Sequence, residues 1–309
     1  MKVGILEEKD NEFASHVRSG LHGIETEYVT ISDLVSGRSE YRVVLDRSSY
    51  FNPYIREYMK SLALHGTYVI NNPFAASSTN KMMDMQICNH LGIPYPKTVV
   101  LPHFNQYELD YMREPDLDRI LETLELPCVL KPHNGYAWDH VYVVTSIKEF
   151  KNLYKALKGS HILLAQEYID ARDYFRVFCI GKDNVLPVRY DPKPGGMGRY
   201  MYSDPGKDET AARIVEWTTQ INRAIDFDFN AIEWCIDDDG RPFVIDAFND
   251  TPEVIKGMIP EQYYDWIVDR TCSLIREKFA TDEPNRNIFP TLSENYIRKD
   301  GNNISIDQT

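Results

Sequence analysis

Nowhere in the 309 residues is there a run of about 20 apolar side chains, the length a helix needs to cross a bilayer. Met1 to Leu6 is apolar, but it runs straight into Glu7-Glu8-Lys9-Asp10 and lacks a signal-peptide core. No membrane association and a cytoplasmic location are therefore expected. Positive charge is also short: 34 Lys and Arg stand against 47 Asp and Glu, a net charge of −13. Such a chain repels a phosphate backbone and gains nothing from an anionic membrane surface. Nucleic acid is set aside in favour of small molecules or basic partners. The five cysteines, Cys88, Cys128, Cys179, Cys235 and Cys272, stand singly in apolar segments with no CxxC pair. That usage reads as reduced structural thiols. The eight histidines show no HExxH spacing, and no GxGxxG turn follows the first apolar strand, which excludes the common zinc-protease and nicotinamide-dinucleotide patterns. Internal repeats and low-complexity tracts are absent too.

What is present alternates between strand and helix. Val3 to Leu6, a helix over Glu12 to Ser19, Glu27 to Ile31, Tyr41 to Asp46, a helix over about Pro53 to Leu64, and Thr67 to Ile70 spell a parallel α/β lobe. Asn71-Asn72-Pro73 closes it, and a boundary is expected near residue 75. Ser78-Thr79-Asn80 caps a helix from Lys81 to about His90 that stops at Gly92. Pro127 to Pro132 and Val141 to Val144 form a strand-loop-strand unit. A helix over Ile147 to Leu157 and strands at Ile162 to Tyr168, Tyr174 to Ile180 and Val185 to Tyr190 follow. A helix over Glu209 to Ile225, a hairpin over Asn230 to Phe248, and a last helix with Tyr264, Val268, Cys272, Ile275 and Phe279 on one face complete the pattern.

The hairpin carries the clearest chemistry. If Asp239-Gly240 is a two-residue turn, Glu233 lies opposite Asp246, Trp234 opposite Ile245 and Ile236 opposite Phe243. Two carboxylates about 4.5 to 5.5 Å apart by backbone repel each other unless a positive group lies between them. A hard cation with oxygen ligands answers that, and Asn249 could add a third oxygen. Magnesium completes its shell with phosphate oxygens and water, so the site also implies a nucleotide. The plainer alternatives are a solvated sheet face and neutralisation by a lysine. A three-residue turn would undo the register.

Other candidates are weaker taken singly. Lys131 ends an apolar strand before the polar stretch His133-Asn134-Gly135, where it could meet phosphates or simply emerge into water. Lys81, at a helix start, is equally ambiguous. Gln166-Glu167-Tyr168-Ile169-Asp170 joins two strands and could offer backbone groups to an adenine, or serve only as a connection. Arg176 and Arg189 sit in or beside apolar strands, where they meet either a ligand anion or one of the many acids.

Taken in order over residues 1 to about 280, these segments resemble the ATP-grasp superfamily. Lys81 with Leu91-Gly-Ile-Pro-Tyr-Pro-Lys-Thr98 resembles its lysine helix and GIPxPxT segment, and Val129-Leu-Lys-Pro132 its central VVKP strand. Gln166-Glu-Tyr-Ile169 resembles the adenine hinge, Arg172-Asp-Tyr-Phe-Arg176 the arginine segment, and Ile245-Asp-Ala-Phe-Asn249-Asp-Thr-Pro252 the metal-binding last strand. The likeness is greatest to stand-alone bacterial carboxylate-amine ligase-like members. Two departures are visible: Asp246-x-x-Asn249 where many members have E-x-N, and Gly135 as the only glycine where many have several.

The resemblance implies an α/β chain with α+β lobes. Residues 1–75 would form the N-terminal parallel lobe and 76–280 the ATP-grasp domain, with a small β-rich lid at about 96–165, an antiparallel-sheet lobe at about 166–280, and a polar tail at 281–309. It implies ATP and Mg2+, with Mn2+ as an alternative ion. Lys81, Lys131, Gly135, Gln166, Glu167, Tyr168, Ile169 and Asp173 would hold the nucleotide, and Glu233, Asp246 and Asn249 the metal. The activity implied is an ADP-forming ligase that joins a small-molecule or peptide carboxylate to an amine or thiol through an acyl phosphate. Arg176 and Arg189 would steady the acid or the oxyanion, and the Gly195 to Gly198 loop would exclude water. A kinase of the same fold and a nucleotide-binding partner protein without turnover are the rival readings, and a homodimer is an open alternative.

Overall fold

The computed structural model describes residues 1–31, 39–104, 110–134, 139–192, 198–202, 209–281 and 284–285. Among them the chain forms two compact units. One comprises Met1–Ser78, Phe175–Ile232 and Asn249–Thr309, the other Thr79–Tyr174 and Glu233–Phe248.

The first unit opens with β1 (Lys2–Leu6), α1 (Glu12–Gly20), β2 (Thr26–Tyr28), β3 (Tyr41–Asp46), α2 (Pro53–Leu64), β4 (Tyr68–Ile70) and the short α3 (Pro73–Ala76). The strands lie in the order β2-β1-β3-β4, all parallel. Val3, Ile5, Val43, Val44, Leu45 and Val69 are fully buried, as strands covered on both faces require. Asn11 and Asn52 cap α1 and α2 by accepting from Ala14 and Tyr54 backbone N–H groups.

The second unit begins with α4 (Lys81–Leu91), followed by β5 (Thr98–Leu101), α5 (Leu117–Leu124), β6 (Cys128–Pro132), β7 (Tyr142–Val144), α6 (Ile147–Leu157) and β8 (Leu163–Glu167). The antiparallel order β5-β8-β6-β7 presents Leu101, Leu130, Val144 and Leu163 to Leu121, Leu124, Phe150 and Tyr154 of α5 and α6. This one-sided core reflects the 3.6-residue apolar period of the two helices.

The chain then returns to the first unit along β9 (Ala171–Ile180), which pairs antiparallel with β10 (Asn184–Tyr190), and β10 with β11 (Tyr200–Met201). Helix α7 (Glu209–Ile225) leads to β12 (Phe229–Asp237). The far half of β12 belongs to the second unit, where it pairs with β13 (Pro242–Asp246). Helix α8 (Glu261–Ala280) packs on α1 and β3. Its buried face holds Tyr263, Ile267 and Leu274 beside the expected Tyr264, Cys272 and Ile275, while Val268 and Phe279 are only half-buried.

Polar side chains fix the first unit internally. Asn71 accepts from the Asp228 and Phe229 N–H groups at 2.8 and 2.6 Å and donates to the Phe229 and Asp250 carbonyls. The Arg47 guanidinium lies over the Phe13 and Phe229 rings and donates to the Pro252 carbonyl at 2.7 Å. Asp46 accepts from Ser48 and Ser49. These residues hold the lobe together. All five cysteines are free and buried, as expected. No helix among the described residues is long and apolar enough to cross a membrane. Of the tail, Asn285 brackets the edge of β4 through both Val69 backbone groups.

Candidate active site

Two lysines and three carboxylates converge within the second unit, delivered by α4, by β6 and by the β12–β13 hairpin. Helix α4 is started by Asn80, whose side chain accepts from the Met82 and Met83 N–H groups, and is stopped by Gly92 at φ 68°. That places Lys81 in the first turn and Asp84 three residues on, on the same face. The helix lies against β13, and Lys81 Nζ donates to Asp246 Oδ2 at 3.1 Å. Asp84 is fully buried. Its Oδ2 accepts the Ala247 N–H at 3.1 Å, while its Oδ1 has no partner among the described residues.

The hairpin differs from expectation in a way that matters. Asp237 and Arg241 close a three-residue turn, with Gly240 at φ 80° and the Arg241 N–H and Nε both donating to the Asp237 carboxylate. Ile236 therefore faces Pro242, and Trp234 faces Val244, one residue out of the expected phase. A bulge between Glu233 and Trp234 then inserts Ile245 as an extra residue, and Glu233 faces Asp246 after all. The extra residue has a use. Lys131, 6% exposed near the end of β6, donates from Nζ to the Ile245 carbonyl at 3.2 Å.

The charges are strongly mutual. Burial pulls Lys81 down, yet Asp246, Asp84 and Glu233 leave its pKa above the ordinary value. Lys131 is pushed down to about 8 by burial and by Lys81. Asp84 is pushed up to about 8 by burial and by Asp246. Burial and the neighbouring charges thus favour the protonated, neutral carboxyl at Asp84 and oppose the charge on Lys131. Asp84 was not singled out in the sequence, although a Lys-x-x-Asp spacing at a helix start was the available signal.

The hinge segment also belongs to this unit. Gln166 is buried and donates to Thr98 Oγ1 at 2.8 Å, and Glu167 exchanges backbone and carboxylate bonds with Lys97. Tyr168 is exposed and Ile169 half-buried. Asp173 lies 3.8 Å from the Arg172 guanidinium. Three expected residues lie in the first unit. Asn249 donates its N–H to Asn230 Oδ1. Arg176 is buried and donates to the Tyr200 hydroxyl at 2.9 Å, whereas Arg189 is exposed. Arg176 faces Val188 across the ladder, so Arg176 and Arg189 point to opposite faces of their sheet. Gly135 and residues 195–197 lie outside the described residues.

Among the described residues no three His, Cys, Asp or Glu side chains form a metal-binding set. The fit to magnesium rests on fewer groups: two opposed carboxylates, with the other positions of an octahedron filled by phosphate oxygens and water. Buried Lys131 and half-buried Lys81 suit those phosphates, so the residues present fit a magnesium nucleotide.

No protein-family model matches the sequence, and no curated protein matches it. Solved structures do. The chain is similar to the D-alanine–D-alanine ligase from Bacillus anthracis complexed with ATP, at 14% identity over 90% of this chain and 97% of that one, with a TM-score of 0.62. It is likewise similar to a RimK domain ATP-grasp protein from Sphaerobacter thermophilus, at 16% identity over 91% and 100%, with a TM-score of 0.64. A third is the ATP-grasp ligase PsnB complexed with minimal precursor, Mg and ADP, at 15% identity over 89% and 97%, with a TM-score of 0.63. The chain has the ATP-grasp fold, a mixed α/β architecture with parallel and antiparallel sheets.

Proposed function

We propose that the protein is an ATP- and magnesium-dependent ligase that activates a carboxylate and transfers it to an amine. The observation that carries this reading is the charge cluster of the second unit, in which Lys81, Lys131, Glu233 and Asp246 meet on an ATP-grasp fold. The named neighbours are ligases complexed with ATP in one case and with Mg, ADP and a precursor in another, which supports the same class of substrates here.

Glu233 and Asp246 would hold the magnesium, and the ion would neutralise charge on the transferring phosphoryl group. Lys81 and Lys131 would grip the phosphates as point charges, and Gln166 to Ile169 would present backbone groups to the base. In the chemical step an oxygen of the substrate carboxylate attacks the γ-phosphorus, the bond to the β–γ bridging oxygen breaks, and ADP leaves. The amine nitrogen then attacks the acyl carbon, phosphate departs with the activating oxygen, and the amine loses a proton. Arg176 is proposed to hold an anionic group of the acid. Arg189, on the opposite face of its sheet, is not assigned that role. Residues 1–75, 76–280 and 281–309 are proposed as N-terminal lobe, catalytic domain and tail.

The test is melting temperature against ATP, with and without magnesium, for the wild type and Asp246→Asn. A ligand at 100 times its Kd adds about 2.7 kcal/mol of stability, which is readily visible. The wild type is expected to respond only when both are present, and the variant to lose the response. A folded wild type indifferent to both would end the reading.

A further inference from the structure

The group that would bind the cation is already engaged by a cation of the protein. Lys81 Nζ sits 3.1 Å from Asp246 Oδ2, the oxygen-bearing side chain that faces Glu233 across the bulged hairpin. Lys81 is 15% exposed and Asp246 30%, so the pair is shielded from water well enough for the attraction to exceed that of a surface ion pair. Lys131 is arranged differently, since it donates to a neutral carbonyl, that of Ile245, and is ion-paired to no carboxylate among the described residues.

Resting on the ligase reading above, we propose that Lys81 guards the metal-binding carboxylate: its ammonium holds Asp246 until a nucleotide phosphate draws it away, so that cation and nucleotide bind as a pair.

A divalent ion arriving alone meets an oxygen in use and a positive charge at close range, both of which oppose it. A nucleotide supplies the ammonium with a second anion. The exchange leaves neither protein charge unpaired: ammonium to carboxylate becomes ammonium to phosphate, and the freed carboxylate passes to the ion. Lys131 can receive phosphate without such an exchange, which is why only one of the two lysines acts as the guard. Linkage then makes the effect reciprocal, so nucleotide tightens the ion by the factor by which the ion tightens nucleotide.

The experiment is a Mn2+ titration followed by the electron paramagnetic resonance of free Mn2+, with and without ADP. It uses the full chain as wild type, Lys81→Gln and Lys131→Met, with circular dichroism to confirm folding. The wild type should take up Mn2+ weakly alone and about ten-fold or more tightly with ADP, within the usual range of site coupling. Lys81→Gln should bind Mn2+ alone about five-fold or more tightly than the wild type and show a smaller gain from ADP. Lys131→Met should change Mn2+ binding alone by much less. If Lys81→Gln binds Mn2+ no better than wild type, or if Lys131→Met gains as much, Lys81 does not guard Asp246, although the ligase reading survives on wild-type binding of Mn2+ with ADP. If the wild type binds neither Mn2+ nor ADP, both fall together.

Discussion

Replacing Asp84 by asparagine should flatten part of the protein's pH–stability profile. The Asp84 carboxyl is fully buried on α4, with one oxygen on the Ala247 N–H and the other unpartnered among the described residues. Burial, and Asp246 beside it, push its pKa from 3.8 up to about 8. Between those values the folded protein holds a proton that the unfolded chain has released, so stability falls as pH rises through the window. One proton corresponds to about 1.4 kcal/mol per pH unit. From pH 5 to pH 7 the group therefore removes up to about 3 kcal/mol, a large part of a typical folding free energy of about 5–15 kcal/mol. Asparagine keeps an acceptor for the Ala247 N–H and cannot ionise. Urea unfolding at pH 5, 6 and 7, followed by circular dichroism and fluorescence, should show the variant gaining on the wild type by up to about 1.4 kcal/mol per unit. Parallel profiles would mean that Asp84 ionises freely in the folded protein, and the account of a cluster balanced by a protonated acid would be wrong.

Lys131→Met should act on the alkaline side. The lysine is held down to about 8 by burial and by Lys81, so the unfolded chain binds the extra proton from about pH 8 to 10.5 and wild-type stability rises with pH there. Together with Asp84 this gives a minimum near pH 8 in urea midpoints, and the methionine variant should lose its alkaline limb. Gly92→Ala tests the end of α4, where φ is 68° and an added methyl would meet nothing within 4 Å. Backbone strain alone should cost about 1–2 kcal/mol, read as a lower melting temperature with the nucleotide response retained.

Much of this was legible from local pattern. Asn80 before Lys81, Gly92 after Leu91, and the apolar period of Ile147–Leu157 each act within one or two turns of helix, and the observed elements follow them closely. The facing of Glu233 and Asp246 was also legible, but for an incomplete reason. The turn is one residue longer than assumed, and the bulge at Ile245 restores the phase, because a bulge depends on what neighbouring elements ask of the strand. Here the Ile245 carbonyl meets Lys131 from β6, and the Val244 N–H meets the Pro94 carbonyl. Neither contact has a local signature. Asp84 was missed because an aspartate in a helix ordinarily faces water, and only tertiary packing against β13 buries it. The opposite facing of Arg176 and Arg189 follows from the β9–β10 register, which neither strand's pattern shows alone.

The second unit is discontinuous, and this fixes the order in which a ribosome can assemble it. Residues 79–174 contain the whole sheet β5-β8-β6-β7 and its apolar cover, so that layer has every partner it needs once β8 has emerged. Its lysines do not. Asp246 follows Lys131 by about 115 residues, which at synthesis rates of about 5–20 residues per second is a delay on the order of 6 to 23 s. During that interval the apolar layer can form while Lys81 and Lys131 wait for Asp246 and the Ile245 carbonyl, so electrical balance is the last property the nascent unit acquires.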